Sequence, residues 1–223
     1  MEEKTTQLQQ MATQLRTKLL MMGAASGIAL EEACAALREG NAGRAAAVVE
    51  GDAAIDAMEN AVDELALTIL VRNQPVAHDL RFVVGGLRMV IDLERIGDEA
   101  ASIAERTIDM NGPLPGEVMQ TVGLLMRSTI AMYKQSMDAF RAGDGNLAKK
   151  LCRVDEEIAR QEVAALHRVM DFSGARQGEA SYGVVNGILI WRSLNRICRR
   201  CANIAEHTYF IVEGVNIKHQ APV

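Results

Sequence analysis

Aromatic side chains are scarce: one Trp, three Tyr and four Phe among 223 residues. Pro is scarcer still at four, and with 18 Gly the chain has too little turn chemistry for a many-stranded β fold. No segment alternates polar and apolar residues over a useful strand length. Four Cys in a chain of this size do not make a disulfide scaffold. The net charge of −5 contains no block of one sign, so the sequence carries no electrostatic footprint for nucleic acid. The start, MEEKTTQLQQ, lacks the basic region and apolar run of a signal peptide. The longest weakly polar run, residues 19–30, is diluted by Gly23, Ser26 and Gly27 and falls short of the roughly 20 apolar residues that span a bilayer. These absences point to a soluble, cytoplasmic protein.

What the chain does have is aliphatic and small side chains, with 49% apolar residues. That is the composition of long helices packed through Ala, Leu, Met and Val. Self-similarity organises them. LREGNAG at 37–43 returns as FRAGDGN at 140–146, and the same offset of 103 carries Asp52 onto Asp155 and Glu59 onto Glu162. Further on the offset is 101. It lays VVGG at 83–86 on VVNG at 184–187, and Ile103-Ala104-Glu105 on Ile204-Ala205-Glu206. The slip of two residues falls between Glu59 and Val83, where Pro75 marks a turn that tolerates a length change.

Each copy predicts three helices: residues 5–39, 44–72 and 76–110, then 117–142, 147–172 and 179–213. Gly40 closes the first, Pro75 ends the second and opens the third, and GPLPG at 112–116 divides the copies. Helices of this length, joined by short turns, pack antiparallel. The expectation is an all-α fold of six long helices in two antiparallel three-helix bundles, residues 1–112 and 113–223, set end to end or side by side.

Two helices of the first copy carry acidic stripes. Asp52, Asp56, Glu59 and Asp63 share a face at helical spacing, and so do Glu94, Asp98 and Glu105. One such stripe is an ordinary solvated face. Two on consecutive packed helices set like charges against each other and call for a cation. Carboxylate oxygens without His or Cys suit hard ions. The expected cofactor is a divalent or trivalent metal (Mg, Mn, Ca, Fe or Zn) held by Asp52, Asp56, Glu59, Glu94 and Asp98. In the second copy Asp56 becomes Ala159, Glu94 becomes Asn195 and Asp98 becomes Arg199. A fixed guanidinium there, able to pair with Asp155 or Glu162, takes the place of a bound cation, so the second-copy site is expected to be lost.

QPVAHDLR at 74–81 followed by DLERIGDEAASIAE at 92–105 resembles the PhoU family, the regulators of bacterial phosphate uptake, and the likeness covers essentially residues 8–219. The resemblance implies a tandem repeat of three-helix bundles with DxxxD and ExxxD motifs forming metal clusters. By position these are Asp52 and Asp56, then Glu94 and Asp98; in the second repeat Asp155 alone survives. It also implies a negative regulator rather than an enzyme. The implied partners are the ATPase of a phosphate ABC transporter and a membrane sensor histidine kinase, through which phosphate-starvation genes stay off. A homodimer is a further partner to consider.

The rival reading is a metal-binding bundle with a metal-dependent enzymatic or metal-handling role. Di-iron carboxylate bundles use Glu-x-x-His pairs, yet Glu94 is followed three on by Gly97, and Glu59 by Val62. No Gly-rich phosphate loop or Ser-His-Asp order is visible. Cys198 and Cys201, in CRRC, are expected to be buried thiols, as are Cys34 and Cys152. His78, His167, His207 and His219 read as surface or turn residues. Gly85, Gly86 and Gly97 lie within a helix, where each costs about 1 kcal/mol against Ala, and so mark close helix approach. Trp191, Tyr182, Tyr209 and Phe210 in the last helix serve either core packing or a partner. Arg72, Arg81, Arg88 and Arg95 are expected around the acidic site, as ion pairs or as a docking surface.

Overall fold

The computed structural model describes residues 2–110, 112–152 and 179–217. Among them are six helices: α1 (Glu2–Glu39), α2 (Ala42–Asn73), α3 (Ala77–Met110), α4 (Gly116–Ala142), α5 (Gly145–Leu151) and α6 (Glu179–Glu213). The described residues contain no strand. Residues 153–172 of the helix expected at 147–172 lie outside this set, as do Asp155, Glu162, His167 and His219.

The repeat is visible in how α1 and α4 end. Gly40 and Gly143 take φ of 62° and 65°, the left-handed conformation that Gly adopts without strain. The next residue caps the following helix. Asn41 accepts from the Arg44 N–H at 3.0 Å, and Asp144 from the Leu147 N–H at 2.9 Å. Their own N–H groups reach back five residues, to the carbonyls of Ala36 and Ala139, both at 2.9 Å. One Gly-Asx turn has been used twice. The α2–α3 turn differs. Gln74, just before Pro75, is left-handed (φ 46°), and Ala77 is as well (φ 47°).

Helices α1, α2 and α3 each pack on the other two, and α4 packs on α6, α1 and α5. The most extensive contact among the described residues joins α3 to α6, so the two halves stand side by side. Three glycines let α3 occupy this central place. A Cβ on Gly86 would come within 3.0 Å of Leu19 on α1, one on Gly97 within 3.0 Å of Ile55 on α2, and one on Gly85 within 2.5 Å of Ile211 on α6. The expected close approach is therefore present at each of the three, toward a different neighbour.

A polar seam ties α3 to α6. Asp92, 3% exposed, accepts from Arg200 Nη1 at 3.1 Å and Asn203 Nδ2 at 3.0 Å, and its other oxygen lies 3.1 Å from His207 Nε2. Arg200, Asn203 and His207 share one face of α6, so the carboxylate is surrounded by donors at the depth where an unpaired charge is most costly. Arg196 pairs with Glu99 beside it. This corrects the reading of His207, which is buried and bridges the halves rather than lying on the surface.

The arginine stripe also needs correction. Arg95 reaches the acidic site, but Arg88 lies over the Phe210 ring at 5.5 Å, and Arg81 lies against Gly214. Both lie against α6 or the residue that follows it, because α3 turns that face away from α2. Cys34, Cys198 and Cys201 are buried as expected, whereas Cys152 is half-buried. Trp191 and Tyr209 pack partly buried against the core, while Tyr182 is exposed. Residues 6–39 of α1 are long and apolar enough, by length and composition, to cross a membrane. Here Leu15, Leu19, Met22, Leu30 and Leu37 supply the fully buried face of a bundle helix.

Candidate metal centre

Four-residue spacing stacks Asp52 and Asp56 on one face of α2, and Glu94 and Asp98 on one face of α3. Whether the faces meet depends on how closely the helices approach, and Gly97 settles that. A Cβ there would lie 3.2 Å from Asp52 Oδ1 and 3.0 Å from Ile55 Cδ1. With hydrogen in its place, α2 closes down beside Asp98. Carboxylate oxygens of Asp52, Asp56 and Asp98 then all lie within 4.8 Å of one another.

Around this trio the acids perturb one another. Burial, then the Asp98 charge, pushes the Glu94 carboxyl up to about 7, with Glu59 and Asp56 adding and Arg95 opposing. Asp52 is raised by burial and then by Asp56, Asp98 and Glu105. Glu59 is raised by burial, Asp63, Asp56 and Asp98, with Arg95 opposing. Arg95 supplies the cation that is present, 3.3 Å from Glu94 Oε2 and 2.8 Å from Asp98 Oδ2. Its guanidinium is half-exposed and lies on the α3 side, against Glu94 and Asp98.

Of the five expected ligands, the fold thus gathers Asp52, Asp56 and Asp98, and places Glu59 and Glu94 in the same field. Glu105, on the α3 stripe but outside that set, extends the field toward Asp52. Oxygens within 4.8 Å fit a single hard cation, whose metal–oxygen distances run about 2.0–2.6 Å. The donor set has no imidazole or thiolate, which disfavours softer ions. At the positions matching Glu94 and Asp98, α6 carries buried Asn195 and exposed Arg199. The counterpart of the α2 stripe lies outside the described residues.

Three comparisons with known proteins bear on the whole arrangement. The family model for the PhoU domain matches twice, at residues 19–107 and 122–208. The chain belongs to the PhoU family. It is 34% identical to the phosphate-specific transport system accessory protein PhoU homolog of Pseudomonas aeruginosa, over 92% of this chain and 85% of that protein. With the PhoU accessory protein of Escherichia coli K12 it shares 29% identity over 92% of the chain and 85% of that protein. The crystal structure of PhoU from Pseudomonas aeruginosa superposes with a TM-score of 0.88 at 33% identity, over 93% of this chain and 99% of that one. A PhoU structure from Streptococcus pneumoniae, described as a phosphate transport system regulatory protein, superposes at 0.84 with 21% identity, over 94% and 98% of the two chains. The tandem PhoU fold is thus the fold of this protein, and the paired Gly-Asx turns are its internal repeat.

Proposed function

We propose that this protein is a cytoplasmic regulator of phosphate uptake, an adaptor rather than an enzyme. In this reading it restrains phosphate-starvation signalling through contacts with a phosphate ABC transporter ATPase and a sensor histidine kinase. The observation that carries the reading is the two-domain PhoU match along a chain that covers 92% of its length with relatives named as phosphate-transport accessory proteins. Exposed apolar residues offer a place for a partner: Leu67 and Val71 at the end of α2, Val76 in the turn and Leu80 on α3. That edge coincides with the QPVAHDLR segment.

The acidic site serves this role as a structural or docking element, with one hard cation on Asp52, Asp56 and Asp98 and with Glu94 and Glu59 beside it. When bound, the ion offsets the mutual repulsion of the stripes and locks α2 to α3. A tagged protein recovered from cells grown in high and in low phosphate should bring down a transporter ATPase or a sensor kinase in a phosphate-dependent way. Recovery of neither from gently solubilised membranes rejects the adaptor reading. Elemental analysis tests the metal separately. Metal should be present in the native chain and absent from Asp56→Ala/Asp98→Ala, and its survival in that variant rejects the ligand assignment.

A further inference from the structure

A cavity of about 720 Å³ opens where the end of α1 and the start of α2 face α4, and no residue of the acidic site lines it. Its volume falls in the range of small-molecule sites, about 300–1,000 Å³. Four cationic side chains stand around it, Arg38, Arg44, Arg127 and Lys134, against two carboxylates, Glu31 and Glu32. In a chain of net charge −5 this is a local excess of positive charge.

The carboxylates are already engaged. Lys134 holds Glu31 at 2.8 Å, and Arg44 holds Glu32 with Nη2 at 2.8 Å. Arg38 lies 3.5 Å from Glu39, a third carboxylate, which also accepts from Arg44 Nη1 at 3.1 Å. Arg127 has no ion pair among the described residues. It lies one turn beyond Gly123, near the space where a Cβ would sit: Nη1 is 3.9 Å from that point, and nothing else is within 4 Å. Gly123 is therefore a notch in the cavity wall beneath a free guanidinium. The floor is apolar, formed by Ala35, Met119, Met126 and Ile130.

From this geometry we propose that the cavity between α1, α2 and α4 binds a phosphate monoester with a flat apolar body, the class represented by a nucleoside monophosphate. With Glu39 counted against Arg38 and Arg44, the cations around the cavity exceed the carboxylates by one, Arg127, and a phosphate monoester carrying about −1.5 to −2 at neutral pH is drawn to that excess. Guanidinium forks at Arg127 and Arg38 suit its oxygens. Two methionine thioethers in the floor suit the face or edge of a ring. Inorganic phosphate would leave most of the volume and the whole floor unused.

Isothermal titration of the full chain in EDTA, which removes metal-bridged binding at the acidic site, tests the assignment. AMP should bind saturably at one site, with adenosine and inorganic phosphate each about tenfold weaker or more. Arg127→Glu removes the free cation. Gly123→Leu fills the notch, where a Cβ meets only Arg127 Nη1 at 3.9 Å, and it replaces a helix-interior Gly with a good helix former. Each variant should weaken AMP about tenfold or more while its helical circular dichroism is unchanged. Exposed Arg192 on α6, which does not line the cavity, serves as the charge control, and Arg192→Glu should leave AMP binding intact. No saturable AMP binding, AMP binding indifferent to both cavity variants, equal loss in Arg192→Glu, or phosphate binding as tightly as AMP would each overturn the assignment.

Discussion

Replacing Glu94 by Gln should stabilise the metal-free protein at alkaline pH and do nothing at acid pH. The Glu94 side chain is 15% exposed, and burial and Asp98 raise its carboxyl from 4.5 to about 7. Between those values the folded chain holds a proton that the unfolded chain has released. A group raised in this way makes stability fall as pH climbs from about 4.5 to about 7, and the loss is complete above that window. At 1.36 kcal/mol per unit the shift corresponds to at most about 3 kcal/mol at pH 8, and water at the open edge of the site reduces this to about 1–2. Gln keeps the shape and never ionises. Losing the 3.3 Å contact to half-exposed Arg95 gives back less than about 1 kcal/mol. In EDTA, urea unfolding followed by circular dichroism should therefore place the variant about 1 kcal/mol above the native chain at pH 8. The two should coincide near pH 4. Saturating Mn²⁺ should narrow or reverse the order, because a ligand stabilises the state that binds it. A variant no more stable than the native chain at pH 8, or a difference that does not shrink on acidification, refutes the electrostatic account of the site.

Three other outcomes follow from particular contacts. Gly97→Val forces side-chain atoms toward Ile55 and Asp52, and overpacking of this kind costs about 1–3 kcal/mol; the melting temperature should fall and bound metal should be lost together. Asp92→Ala leaves buried His207 and half-buried Arg200 without their carboxylate, a loss of about 3 kcal/mol or more that thermal unfolding should register as a drop of roughly 10 °C. Val71→Asp with Val76→Asp changes residues 77% and 74% exposed, so unfolding should move by no more than about 0.5 kcal/mol per site while recovery of the transporter or kinase partner is lost.

Much of the fold is legible in local sequence because its determinants are local. Gly40 and Gly143 relieve the backbone where each first helix must stop, and Asn41 and Asp144 cap the next one. These four residues carry both the helix boundaries and the repeat. The acidic stripes are legible for the same reason, since a period of 3.6 residues assigns Asp52 with Asp56, and Glu94 with Asp98, to common faces without any knowledge of the neighbours. The PhoU resemblance adds the tandem architecture, which the family match and the solved structures bear out.

How those faces meet is a different matter, because the rotation and offset of one helix against another depend on every side chain between them. Asp92 lies one position before Leu93 on an otherwise apolar face, and its charge in that place was a signal of a buried partner. Only the approach of α6 showed the partners to be Arg200, Asn203 and His207. Arg88 and Arg95 share a stripe with period seven, yet one finds Phe210 and the other Asp98, since α3 is flanked by α6 on one side and α2 on the other. The sequence by itself determined the helices, their breaks, the duplication and the faces that carry charge. Tertiary packing decided that the halves stand side by side, that Asp52, Asp56 and Asp98 form the closest trio of the five acids, and that a basic cavity opens beside α4. Close approach between helices is a sum over both surfaces, and no single stretch of chain contains it.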